Sequence, residues 1–164
     1  MRRPITPRGY NALRAELQKL KAQRPELSHA IEVARAHGDL SENADYDAAK
    51  NKMAMSEARI NDLEHKLALA DVIDPRTLQS LDRVVFGVSV IVEDADSGEE
   101  RRISLVGADE SDADQGRVSV ESPFGRALLG KSVGDMVRVK LPAGMRDYEL
   151  REIFVDYKDE AAEE

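Results

Sequence analysis

Two heptad stripes separated by a short polar segment constrain this chain more than any other feature of its sequence. In the first, Tyr10, Leu13, Leu17, Leu20, Leu27, Ile31 and Ala34 recur at coiled-coil spacing, with Arg24 at the one intervening seam position. Thr6 is placed to cap this helix and Pro7 to open it, where a missing N–H costs nothing. Pro25 removes one ladder hydrogen bond, but the stripe resumes in register after it, so the spacing predicts one bent helix rather than two. The second stripe, Tyr46, Ala49, Met53, Ser56, Ile60, Leu63, Leu67 and Ala70, runs without a break. Neither stripe can be buried alone. With only Gly38-Asp39-Leu40-Ser41-Glu42-Asn43 between them, the helices must fold back antiparallel on each other. The span from Pro7 to Gly38 amounts to roughly 48 Å at the helical rise of about 1.5 Å per residue.

After Val72-Ile73-Asp74-Pro75, which should end the second helix, the periodicity changes. Short β runs are predicted at Val84 to Phe86, Val88 to Val92, Arg102 to Val106, Val118 to Val120, Met136 to Leu141 and Tyr148 to Val155, with turn clusters between them. One short helix is expected from Ser122-Pro123 to Gly130. The fold class is therefore α+β: a coiled-coil hairpin domain over 1–76, a linker over 77–82, a small α+β domain over 83–158 and an acidic tail over 159–164. Charged residues make up 34 % of the 164, which suits an elongated molecule with much surface to solvate.

Composition also excludes several chemistries. There is no cysteine, hence no disulfide, thiolate metal site or thiol nucleophile. His29, His37 and His65 show no metal-ligand spacing, and no apolar run approaches a signal peptide or a membrane span, so a cytoplasmic protein without membrane contact is expected. The net charge of −8 is uneven: residues 1–76 carry 13 Lys+Arg against 12 Asp+Glu, which leaves 11 against 20 for the rest. Such a chain is not a global electrostatic binder of DNA, and contact with nucleic acid should be local and in the first half.

The tip of the hairpin holds Asp39, Glu42, Asp45 and Asp47 besides the turn residues Gly38 and Asn43. By spacing alone, helix capping and complementation of the macrodipole are the favoured account of these acids. The other account is a hard cation: two carboxylates three residues apart can converge on Mg²⁺, but would hold it weakly unless a partner supplied the remaining oxygen ligands.

The segment Ala34-Arg35-Ala36-His37-Gly38-Asp39-Leu40-Ser41-Glu42-Asn43-Ala44-Asp45-Tyr46 resembles the tip signature of the Gre transcript cleavage factors. The resemblance continues through Val84-Val85-Phe86-Gly87, Leu105-Val106-Gly107, Ser119-Val120-Glu121-Ser122-Pro123 and Arg126-Ala127-Leu128-Leu129-Gly130-Lys131, covering nearly the whole chain in order. It implies a monomeric factor, not itself an enzyme, whose hairpin enters the secondary channel of a backtracked RNA polymerase. There Asp39 and Glu42 would be donated to the polymerase's catalytic centre, sharing a second Mg²⁺ and positioning water while the polymerase hydrolyses its own transcript. No cofactor is implied for the chain alone. Arg35 and Lys50, with Lys52 as a weaker addition, match the basic patch that touches RNA near its 3′ end. Asp45 matches an acidic position that is expected to cap the helix rather than bind metal.

The second domain resembles the FK506-binding-protein fold, and Ser122, Pro123 and Arg126 fall in the motif associated with docking on the polymerase rim. Gly125 stands where the family usually has alanine, and is expected to loosen that helix by about 1 kcal/mol. The bland account of these positions is a capped surface helix, and that of the basic residues a solvated coiled-coil face. Prolyl isomerase activity is disfavoured, since such pockets are lined with aromatics and Phe86, Phe124, Tyr148, Phe154 and Tyr157 are all that follow residue 82. Within the family, Ser41 to Tyr46 leans toward the GreB branch, while Asp39-Leu40 and the sparse basic patch lean toward GreA; the GreA-like reading is adopted. The alternative is a non-cleaving paralogue that docks in the same channel and inhibits or regulates the polymerase.

Overall fold

The structure is a computed structural model and describes residues 2–37 and 43–158. The described chain forms two compact units, one of residues 11–69 and the other of 1–10 with 70–164. The expected boundaries follow chain order, whereas the observed units follow pairing: strand β1 (Arg3–Ile5) lies parallel to strand β2 (Ala70–Val72), so both ends of the helical region are tied into the second unit.

The helical unit is built from α1 (Pro7–Ala22), α2 (Arg24–Arg35) and α3 (Ala44–Leu69). Two helices stand where the stripe predicts one. The break is the single residue Gln23, itself in the α region, whose N–H is shared between the carbonyls of Lys19 and Leu20 at 3.2 Å. The cause is Pro25, which offers no donor to the carbonyl of Lys21. Both stripes are otherwise borne out, since every one of their apolar members is at least half-buried, and Leu13, Leu27, Ala34, Ile60 and Leu63 are fully so.

Flanking the seam, Glu16 pairs bidentately with Arg59, Arg24 with Glu57, and Lys21 with Glu64, which fixes the antiparallel sense. At its far end α3 stops at Leu69, earlier than Val72-Pro75, because Ala70–Val72 is drawn into β2. Among the described residues no helix is long and apolar enough to cross a membrane.

The second unit carries a five-stranded sheet of β3 (Ser89–Asp94), β4 (Glu100–Val106), β5 (Arg117–Ser119), β6 (Met136–Leu141) and β7 (Gly144–Phe154), in the order β5-β4-β3-β7-β6. All pairings are antiparallel except β4 with β5, and a bulge interrupts β3 against β7 between Ile91 and Val92. Val90 and Val92 of β3, Ile103 and Leu105 of β4, and Val137 and Val139 of β6 alternate inward as period-two patterning demands. Helix α4 (Pro123–Leu128) covers that face with Phe124 and Leu128.

The segment Val84–Phe86 is not a strand, contrary to its β-branched composition. Its backbone instead exchanges hydrogen bonds with the turn after α4, Val84 N–H donating to Lys131 and Gly130 N–H to Val84, both at 2.8 Å. Val84 is nevertheless buried in the core, so its apolar character is explained by packing.

Candidate functional site

Two sites named by sequence lie in different units, the hairpin tip in the helical unit and α4 in the sheet unit. Helix α3 opens with Asn43, whose Oδ1 accepts the N–H of Tyr46 at 3.0 Å as an N-cap. The same side chain donates through Nδ2 to the carbonyl of Ala34. One asparagine thus caps α3 and fastens it to the last turn of α2, so the two helix ends are held together whatever spans them. Asp45, expected to cap, sits exposed in the first turn, where its charge suits the positive helix terminus. Asp39 and Glu42 fall in 38–42 and lie outside the described residues. Among the described residues no group of three or more acidic or histidine side chains could hold a metal ion.

Tyr46 is the residue around which the basic positions gather. Lys50 follows it by one helical turn and so shares its face, its Nζ 5.3 Å from the ring centroid. Arg35 reaches the same ring from α2, its guanidinium carbon 5.7 Å away. Two cations against one phenol favour its ionised form, and the hydroxyl of Tyr46 is held below the usual tyrosine range, chiefly by hydrogen bonding from Arg35, with Lys50 adding to it against the effect of burial. Lys52 is not part of this cluster: two positions beyond Lys50, it points off another face of α3 and is exposed. Sequence reasoning counted Tyr46 as a seam residue and as the last residue of the tip signature, without a role of its own. A signal for more was present in an aromatic one turn before a lysine, at the end of the hairpin where a second helix brings an arginine.

The second site is α4. Ser122 caps it as expected, its Oγ accepting the N–H of Gly125 at 3.1 Å and donating to the carbonyl of Ser119 at 2.7 Å, with Pro123 opening the helix. Arg126 is exposed on the outward face.

Gly125 corrects an expectation. A Cβ there would lie 2.8 Å from Cα of Val120 and 3.0 Å from the carbonyl carbon of Ser119, both backbone atoms that cannot move aside cheaply. In this chain the glycine lets α4 press onto the strand before it and is a fitted contact rather than a weakness. Phe124 and Tyr148, two of the aromatics weighed for an isomerase pocket, pack on each other inside the core with centroids 5.1 Å apart.

Comparison with known proteins places this sequence in a family. The family model described as "Transcription elongation factor, N-terminal" matches residues 3–72, and that described as "Transcription elongation factor, GreA/GreB, C-term" matches 78–154. Transcription elongation factor GreA of Psychrobacter cryohalolentis is 49 % identical over 156 residues, covering 94 % of this chain and 99 % of that one. The GreA of Ralstonia nicotianae is 51 % identical over 151 residues, covering 92 % and 96 %. Among solved structures, GreA factor homolog 1 of Thermus thermophilus aligns over 93 % of this chain and 99 % of that one, at 28 % identity and a TM-score of 0.43. With two family models in tandem and half its residues shared with GreA proteins over nearly full length, the chain belongs to the GreA/GreB family of transcription elongation factors.

Proposed function

We propose that this protein inserts its hairpin into the secondary channel of RNA polymerase and stimulates the polymerase's own cleavage of backtracked RNA, rescuing arrested complexes. The observation that carries the reading is the tip: one asparagine clamps two long helices together, and Arg35 and Lys50 converge on Tyr46 beside the five residues that hold Asp39 and Glu42. Basic side chains there suit the phosphates of an extruded RNA 3′ end, with Lys52 further along the helix as a more distant contact.

Asp39 and Glu42 are the residues that would hold Mg²⁺, and they fit that role as half a site. Two carboxylates leave most of the shell of a hard cation to water, to phosphate oxygens and to the polymerase. When bound, the ion supplies positive charge to the phosphodiester under attack. The chain contributes negative charge and water-positioning oxygens on a rigid support, and the polymerase contributes the catalytic centre, so the factor is an activator rather than an enzyme. Ser122, Pro123 and the exposed Arg126 are assigned to docking on the rim of the channel, as a monomer in the cytoplasm where the polymerase works.

The test uses a backtracked elongation complex with labelled RNA in Mg²⁺, comparing the wild-type factor with Asp39→Asn/Glu42→Gln. The expected result is rapid release of short 3′ fragments by the wild type and none by a double variant that still binds. Slowed nucleotide addition without cleavage by either protein would identify a channel-blocking paralogue and overturn the proposal.

A further inference from the structure

The face of the sheet turned away from α4 carries a cleft of about 580 Å³. It is walled by the N-terminal segment at Thr6 and Arg8, the turn at 113–117, and the segment 156–158 that follows β7. Although residues 77–164 are strongly acidic, Arg8, Arg102, Arg117 and Lys158 line it against only Asp114 and Asp156. Arg101 also borders the cleft, but its guanidinium lies over Phe124 on the opposite face.

Two observations show what this cleft is built to hold. The first is Asp156, a carboxylate seated among donors: Ser89 Oγ donates to its Oδ1 at 2.6 Å, Arg102 donates to its Oδ2, and Ser104 Oγ backs Ser89 at 2.7 Å. Ser89 is itself 1 % exposed, so this hydroxyl is a fixed part of the site. The second is Arg117, level with Ser104 in the parallel register of β4 and β5, half-buried, with no hydrogen bond or ion pair to its guanidinium among the described residues. A half-buried guanidinium without an acceptor forgoes charge-assisted bonds that it could make. The donor set therefore exceeds what one carboxylate can use.

We propose that this cleft is an oxyanion site for a phosphate-bearing small molecule of nucleotide size, with Asp156 as the internal anion that such a ligand displaces. A terminal phosphate offers three strong acceptor oxygens and more charge than a carboxylate, enough to engage Ser89, Arg102 and Arg117 together. The volume falls within the range of small-molecule pockets, about 300–1,000 Å³, and would be left mostly empty by a single phosphate. This inference is independent of the tip and of transcript cleavage.

The test is calorimetric titration of the full chain with inorganic pyrophosphate and with a nucleoside triphosphate, without Mg²⁺ so that the tip acids take no part. Saturable one-to-one binding is expected for both, about tenfold weaker in Arg117→Gln, which removes a charge that holds nothing in the fold. Tighter binding is expected in Asp156→Asn, where the competing charge is gone, and no change in Arg138→Gln on the far edge of the sheet. Circular dichroism of each variant checks that it is folded. Absence of binding, binding no weaker in Arg117→Gln, binding no tighter in Asp156→Asn, or binding confined to a single-stranded oligonucleotide would overturn the proposal.

Discussion

The two units hold together by different means. In the sheet unit, side chains from four strands and α4 enclose one another, and Val88, Val90, Val92, Leu105, Leu128 and Leu150 have no exposed surface at all. In the helical unit a single seam is covered from one side only, two residues reach zero exposure, and ion pairs line its edges. A closed core resists any local change because its neighbours cannot collapse into a gap. A seam two helices wide is open to water along its length, and part of its cohesion comes from charge.

The largest test of this contrast is a matched pair. Leu150→Ala and Leu63→Ala each remove a leucine of zero exposure, and chemical denaturation should give about 4 kcal/mol for the first and about 2 kcal/mol for the second, since the cost grows with the cavity that persists. Equal losses would break the comparison.

Next is Gly125→Ala, which by helix propensity should stabilise α4 by about 1 kcal/mol and by overpacking should cost about 2 kcal/mol. The contact with Ser119 and Val120 decides for the cost, and a raised midpoint of unfolding would show that this backbone can yield.

The smallest effect is acid. Glu16 is held below the usual carboxylate range by hydrogen bonding from Arg59, Glu57 by Arg24, and Asp62 by Lys66 with help from Arg59. A lowered folded pKa means that the unfolded chain binds more protons, so this stability is present above the ordinary carboxylate pKa and is lost as pH falls through the folded values. Thermal scans between about pH 5 and about pH 2 should show the helical signal melting progressively earlier. The near-ultraviolet signal of buried Tyr148 should fall less, although Asp94, whose pKa is lowered chiefly by the N–H of Asp96, adds a smaller loss there.

What the sequence made legible divides along the same line. Heptad spacing marked every buried residue of the hairpin because a helix repeats its exposure regularly, and the caps Thr6 and Ser122 could be named because capping is a local matter. The non-local contacts were invisible. Parallel pairing of Arg3–Ile5 with Ala70–Val72 leaves no periodic trace in three residues. Glu110 accepts the backbone N–H groups of both Thr6 and Gly107, a link across 104 residues that no pattern announces. At the tip, Arg35 and Lys50 were named singly, but their meeting on Tyr46 depends on which faces of two helices oppose each other. The cleft beneath Arg117 is likewise assembled from five separate stretches of chain.

Arg24 and Ser56 are the polar members of two otherwise apolar stripes, and the bidentate pair of Arg24 with Glu57, the neighbour of Ser56, sets them side by side midway along the hairpin. Repeating apolar layers are interchangeable, and two such helices could slide past each other by one repeat with little penalty. A slip of seven residues would shift one helix by about 10 Å at the helical rise and would carry Arg24 into an apolar layer. The pair of Arg24 with Glu57 works, together with Glu16–Arg59 and Lys21–Glu64, as a set of notches on an otherwise uniform ruler. In a seam of this kind such notches exclude slips of a whole repeat, a constraint that greasy packing alone does not supply.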